Sequence, residues 1–387
     1  MTNSQVFITG RSLISCLGPN EFQSIEAMAA ARANFQSLEN LPVGLLTEET
    51  REAIHNLDQD PLTRGHDRVT KLAVLAARQL AESAGPVPSE YGCIVGSSRG
   101  ATHSLEKAIE GFSRHESVDA KTSPITTANS LPSTVSKALN LTGLHVALSA
   151  ACSTGLHAVG MGFAMMKAGI LDGAIVGGAE CAVTPFTLAI LNRARVYSRF
   201  TAQDPWPHRP LHPDRNGMVL ADGACLLRLE RQAHGPCVEV LAFSGCSESK
   251  GLTGVSSDGE ALQGAIRQVL NLADLKSENI DLIVGHGAST KKGDEAEFAC
   301  YQAIFGEHRP PIVFHKHLTG HTLGAAGSIS VSLGTFHLLS NSLFEHPYLS
   351  ELDQENAQRR REKLQTVLIV SLGFGGNAAA MILRRVR

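Results

Sequence analysis

The residues of this chain best suited to chemistry are a cysteine and two distant histidines. The cysteine lies in Ala150-Ala151-Cys152-Ser153-Thr154-Gly155; the histidines lie in Gly285-His286-Gly287-Ala288-Ser289-Thr290 and Gly320-His321-Thr322-Leu323-Gly324-Ala325-Ala326-Gly327. A thiol that accepts an acyl group needs a depressed pKa, and a second step on that acyl group needs separate proton or hydrogen-bond donors. One Cys and two His supply those roles. Residues 146–151 read as a buried strand and 155–167 as a helix with a small-residue and Met face. Cys152 is therefore expected at a strand-to-helix turn, where the helix N-terminus favours a thiolate.

Elements able to position such residues recur along the chain. Apolar, β-branched runs bounded by glycine occur at 91–96, 145–149, 173–178, 224–229, 282–285 and 367–371, with an earlier one at 6–9. Runs of this kind lie inside sheets covered on both faces. Helical patterns separate them at 68–84, 105–114, 155–168, 259–273, 294–305 and 327–341. Strands alternating with helices predict a layered α/β fold. The nucleophile falls in a first half, residues 1–235, and both histidines fall in a second, 236–387, with the change near 231–236.

Composition narrows the function further. With 387 residues, 43% hydrophobic, 18% charged and 36 Gly, the chain resembles a compact enzyme with many tight turns. A net charge of -3 argues against a global nucleic-acid footprint. No run of about 18 uninterrupted apolar residues predicts a membrane span. The first five residues lack the pattern of a signal peptide, so a cytoplasmic protein is expected. Eight scattered cysteines without a CxxC pair favour neither zinc nor disulfides. The dinucleotide and Walker glycine spacings are missing, so no redox or nucleotide cofactor is expected.

Taken together and in order, the motifs resemble those of the elongating (type I/II) β-ketoacyl-acyl carrier protein synthases of the thiolase superfamily. The opening Val6-Phe7-Ile8-Thr9-Gly10 with Ser15-Cys16-Leu17-Gly18 is similar to that family's first strand and loop. Residues 209–217 with Ala221-Asp222-Gly223-Ala224 are similar to its "RPFDxxRDGF…GEGAG" segment, and Ser371-Leu372-Gly373-Phe374-Gly375-Gly376-Asn377 to its "SFGFGGxN" loop. The resemblance implies a thiolase-like α/β fold, two similar halves in an α-β-α-β-α sandwich. It implies decarboxylative condensation of an acyl group on Cys152 with a malonyl group on acyl carrier protein, with no cofactor beyond the carrier's phosphopantetheine. A homodimer is implied, or a heterodimer with another ketosynthase-like subunit.

The resemblance also assigns roles. Cys152 is the acyl-accepting nucleophile; His286 and His321 face the malonyl thioester. Lys316 matches a structural lysine, expected to pair with Glu297, and Asp294 and Glu297 match an acidic pair. Phe374 matches an aromatic gate whose backbone N–H forms an oxyanion hole with that of Cys152. Thr290 and Arg195 match pantetheine-contacting positions. Thiolases carry a second catalytic Cys in the C-terminal glycine-rich loop, and initiating type III synthases use Cys-His-Asn; this chain has neither pattern.

Other residues carry plainer expectations. His315 and His317 read as solvated-loop or packing residues, and Met161, Met165 and Met166 as core beside the nucleophile. Arg64 and Arg68 are candidates for docking an acidic carrier, whereas the basic run 359–361 reads as a solvated loop. Leu105 matches a position at the acyl tunnel.

Three departures bear on substrate. Ala288 stands where the family has Thr, Leu372 and Val370 replace Phe and Asn near the gate, and the segment 248–253 does not keep the family's "SSDAxHMT" lid. Housekeeping fatty-acid and secondary polyene or polyketide pathways both remain open. So do an acyltransferase that never decarboxylates and a partner-dependent or inactive chain-length-factor-like subunit.

Overall fold

The computed structural model describes residues 5–115, 117–233, 235, 237–248, 256–349 and 363–386. Ten strands form the main sheet: β1 (Phe7–Ile14), β2 (Gly92–Gly96), β3 (His145–Val146), β4 (Gly173–Glu180), β5 (Gly223–Glu230), β6 (Val238–Ser247), β7 (Leu282–Val284), β8 (Ile312–Val313), β9 (Thr366–Gly373) and β10 (Asn377–Arg385). Their order is β8-β7-β9-β10-β6-β1-β5-β4-β2-β3. Read outward from the centre, each half runs first, fifth, fourth, second, third strand, with the same alternation of antiparallel and parallel pairs. The topology is thus duplicated although no repeat is visible in the sequence. Phe7 pairs with Glu239 and Ile8 with Val238 across β1 and β6, and Val240 N–H donates to Val6 O at 2.9 Å, joining the halves.

Seven helices matter here: α1 (Arg68–Ala84), α2 (Thr102–His115), α3 (Ser130–Ala138), α4 (Thr154–Lys167), α5 (Glu260–Leu272), α6 (Lys291–Phe305) and α7 (Ala326–Ser340). α4 and α7 pack on each other and on strands of both halves, while α1 and α3 cover the outer face of the first half and α5, backed by α6, that of the second. The result is five layers, α-β-α-β-α. α7 is apolar on every side, as a helix buried all round must be. Together with the turn before it, Leu323–Ser340 is long and apolar enough to cross a bilayer, yet most of it is buried inside the protein. Its Ser328, Ser330 and Thr335 hydroxyls donate back to the carbonyls of Ala325, Ala326 and Val331, so each of these three finds a partner inside the core. α4 and α7 approach closely: a Cβ at Gly155 would lie 2.6 Å from Ser328 N, and one at Gly327 2.4 Å from Leu156 N.

The structure corrects several expectations. Of the segment 146–151, only Val146 is in a strand, paired with Ile94, and 147–151 form a half-buried loop at the sheet's outer edge. Met161 is 44% exposed, whereas Met166 is in the core and Met165 packs against it partly buried. β6, β8 and β10 are additional strands; in β10, Ala378-Ala379-Ala380 favours helix locally, but pairing on both sides overrides propensity. α6 begins at Lys291, three residues before the expected start, because the Thr290 side chain caps it. Residues 249–253 of the lid segment, the basic run 359–361, and positions 234 and 236 at the half boundary lie outside the described residues.

Candidate active site

Cys152 sits in the turn between β3 and α4 and is 6% exposed. Ala151 adopts φ +50°, a left-handed conformation that costs a non-glycine residue energy and must be held by its surroundings. The hydroxyl of Thr154 does so: it accepts from Ala150 N–H at 2.8 Å and donates to Ala151 O at 2.6 Å. The turn thereby aims the thiol into a cavity of about 1040 Å³, lined also by His286, His321, Thr290, Arg195 and Phe374. The expected depressed thiol pKa is not found. Burial pushes Cys152 up to about 11, outweighing the opposing pull of the Lys316 charge and of the Phe374 N–H. Alkylation by iodoacetamide, read by intact mass, should therefore keep accelerating from pH 7 to 10; a plateau near pH 7 would show that the thiolate is already formed.

His286 and His321 are 4% and 1% exposed, with ring centroids 5.3 Å apart and planes at 79°. Each ring has its Nδ1 occupied. Leu323 N–H donates to Nδ1 of His321 at 3.2 Å, and the Lys316 ammonium lies 3.3 Å from Nδ1 of His286. Burial first, and the nearby Lys316 charge second, hold both imidazoles well below their ordinary pKa. Both are therefore neutral near pH 7, and with Nδ1 accepting, the proton resides on Nε2.

Lys316, from a one-turn helix Lys316–Thr319, is 1% exposed and donates to the His286 carbonyl oxygen. Burial lowers it to about 8, against the raising pull of Glu297. The expected Lys316–Glu297 contact is corrected: among the described residues Lys316 has no ion pair. Glu297 instead accepts from the N–H groups of His286 and Gly287, at 2.6 and 2.8 Å, and from Tyr301 Oη at 2.7 Å. It fixes the backbone that carries His286. Asp294 lies one turn earlier on α6, raised by burial to about 7; it accepts from Leu211 N–H at 2.9 Å and pairs with Arg215 at 3.3 Å. It therefore anchors the 209–215 loop to α6.

Phe374 is 43% exposed at the cavity wall and its backbone N–H is directed at the Cys152 thiol. A Cβ at the preceding Gly373 would fall 2.8 Å from Ala150 O and 3.3 Å from Cys152 N, so the two backbones meet here without room for a side chain. Thr290 lines the entrance and accepts the α6 capping bond from Gly293 N–H, which leaves its own hydroxyl proton to give. Arg195, Arg199, Lys291 and Lys292 also line the entrance. Arg64 and Arg68 do not; Arg68 pairs with buried Asp222. Leu105 lines a separate cavity of about 270 Å³ and is 48% exposed.

Two site residues escape the sequence. Glu180, fully buried at the end of β4, accepts from Ser98 and Arg99 N–H, Ser97 Oγ and Gly324 N–H, tying the start of α7 to the loop after β2. His208, lowered by burial to about 3, accepts from Val219 N–H and donates to Gly287 O at 2.9 Å, bridging the segments behind His321 and His286. A carboxylate ending an otherwise apolar strand was the available signal for Glu180; His208 offered only its place beside the 209–217 motif. His315 and His317 are buried rather than solvated. His315 bonds Thr319 and Ser330, and His317 packs among Trp206, His346 and Tyr348.

Comparison with known proteins matches residues 3–234 to the family "Beta-ketoacyl synthase, N-terminal domain" and residues 239–343 to "Beta-ketoacyl synthase, C-terminal domain". The chain is 27% identical to 3-oxoacyl-[acyl-carrier-protein] synthase 2 of Vibrio cholerae, with both chains covered completely. It is 30% identical to putative polyketide beta-ketoacyl synthase 1 of Streptomyces virginiae, over 96% of this chain and 89% of that one. Among solved structures, the ishigamide ketosynthase/chain length factor shares the fold at TM-score 0.83 and 23% identity, covering 98% and 99% of the two chains.

Proposed function

Because the chain belongs to the beta-ketoacyl synthase family, we propose that its site carries out decarboxylative condensation on carrier-bound substrates, in fatty-acid or polyketide-type biosynthesis. The observation that carries this reading is the pair of neutral histidines, both with Nδ1 occupied, lining one cavity with the buried Cys152. In the first step the Cys152 sulfur attacks the acyl thioester of a carrier protein. The oxyanion is held by the N–H groups of Cys152 and Phe374, the pantetheine sulfur departs, and the thiol proton ends on it. In the second, malonyl-carrier protein enters past Thr290 and Arg195. Its carboxylate leaves as carbon dioxide, and the electron pair becomes an enolate whose oxygen accepts from Nε2–H of His286 and His321. The enolate carbon attacks the acyl-Cys carbonyl, the Cys152 sulfur departs and takes one proton from solvent to restore the thiol, and the product is two carbons longer.

Nothing in these steps calls for a metal or a redox group; the chain's own donors are the catalysts, and phosphopantetheine arrives with the carrier. The cations at the entrance suit the phosphate of that arm and the acidic surface of the carrier. Residues 1–235 and 236–387 act as two halves meeting at the site, in a cytoplasmic enzyme.

A partner chain belongs to the same reading. Leu105, Ile109 and Phe112 make an exposed apolar stripe along α2, and Leu144 is exposed just before the edge strand β3. A second copy would cover this face; a related synthase-like subunit is the second reading, favoured by the same stripe. Carbon dioxide release from malonyl-carrier protein by the chain alone tests both. Release coupled to elongated product supports an autonomous enzyme, whereas release only after a synthase-like subunit is added supports the second reading.

A further inference from the structure

The turn that brings the Phe374 N–H to Cys152 joins β9 to β10, whose register closes at Gly373 with Asn377, so residues 374–376 themselves lie outside the strand ladder. Gly375 and Gly376 follow at φ +83° and +74°, so two consecutive residues have no side chain to pack and wide conformational freedom. Within the turn, the Asn377 side chain reaches Phe374 O only at 3.5 Å. An external attachment comes from Glu248, the residue that follows β6. Its backbone N–H donates to Gly376 O at 3.1 Å, and a Cβ at Gly376 would lie 2.9 Å from the Glu248 Cβ. The Glu248 carboxylate grips a second element: it accepts the Ser256 N–H and Oγ–H, both at 2.8 Å. Ser256 Oγ in turn accepts from Glu260 N–H, the first residue of α5, at 3.0 Å. One residue thus fastens the glycine turn to a helix packed on β6 and β10.

We propose that Glu248 is a positioning residue for catalysis, clamping the 374–376 turn to the start of α5 so that the Phe374 N–H stays on the reacting centre; this rests on the condensing reading above. Glu248 does not line the cavity, so it acts through Phe374 and not on substrate. A displaced oxyanion donor slows attack without changing how the carrier docks. The plainer role, in which Glu248 merely tidies the approach to α5, predicts no effect on the glycine turn.

Hydrogen exchange separates the two, measured on peptides covering 371–378 and 256–264 in the full chain. In Glu248→Ala and Ser256→Ala, exchange should accelerate in both peptides. Glu248→Gln, which keeps one acceptor oxygen, should fall between wild type and Glu248→Ala. Single-turnover acylation of Cys152 should slow about tenfold in Glu248→Ala, with the KM for acyl-carrier protein unchanged. Unaltered exchange in 371–378 together with a wild-type acylation rate would overturn the proposal, even if 256–264 loosened. Should Glu248→Ala fail to fold, Glu248→Gln and Ser256→Ala decide it by the same criteria. If the wild-type chain is not acylated at all, the condensing reading fails, while the exchange comparison still judges the clamp.

Discussion

Replacing His286 or His321 by alanine is expected to lower decarboxylation of malonyl-carrier protein by about 10²–10³, the loss typical of one preorganised oxyanion donor, while Cys152 is still acylated within a few-fold of the wild-type rate. The split follows from the geometry. In the proposed cycle the acylation oxyanion is served by backbone N–H groups of Cys152 and Phe374, which neither substitution removes. The enolate oxygen is there served by Nε2–H of two imidazoles whose Nδ1 atoms are committed to Lys316 and Leu323. Removing both rings should cost less than the product of the single losses, because they act on one oxygen. Radiolabelled carbon dioxide release, alongside intact-mass acylation of the same preparations, measures both halves. Equal loss of the two steps would show that the histidines serve the thiol instead.

Lys316→Ala should also lower decarboxylation, by about 10–100-fold, the range for a residue that orients a reacting group from behind. Its loss releases the His286 carbonyl and the His286 Nδ1 together. The pH profile gives the distinguishing sign. The Lys316 charge helps hold His286 and His321 below their ordinary pKa, so without it both rise. The donors are needed neutral at Nδ1, so activity is lost as pH falls through their pKa, and the acid limb should move to higher pH in the variant. Lys316→Arg should not restore the rate, since a planar fork cannot replace a compact ammonium at 3.3 Å from the ring. An unmoved acid limb would show that Lys316 acts only as packing.

The residues proposed to act on substrate were legible in the sequence, and the reason is local. Cys152, His286, His321 and Phe374 each stand in a short run of small residues where a tight turn must place one functional group. The groups that tune them were not. Glu297 was expected to neutralise Lys316, yet its lone pairs are taken by two backbone N–H groups and Tyr301, contacts fixed by how α6 packs under the 285–287 loop. Glu180 and His208 reach the site from distant segments with no motif of their own. A helix N-terminus beside the thiol can be seen in a sequence, whereas the burial that pushes the Cys152 thiol up cannot. The fold divides in the same way. Runs rich in Val, Ile and Leu bounded by glycine announced most inner strands but not the central β6, while β10, built on three successive alanines, becomes a strand because β6 and β9 flank it.

The central claim is that Cys152 carries the acyl group in a carbon–carbon bond-forming cycle. Intact-mass spectrometry of the purified chain after incubation with acyl-carrier proteins of several chain lengths tests it most directly, with Cys152→Ala as the control. The account predicts an acyl-sized mass increase that is absent in Cys152→Ala and is discharged, with product two carbons longer, when malonyl-carrier protein is added. A mass increase that survives in Cys152→Ala, or an acyl-enzyme that malonyl-carrier protein cannot discharge, would contradict it.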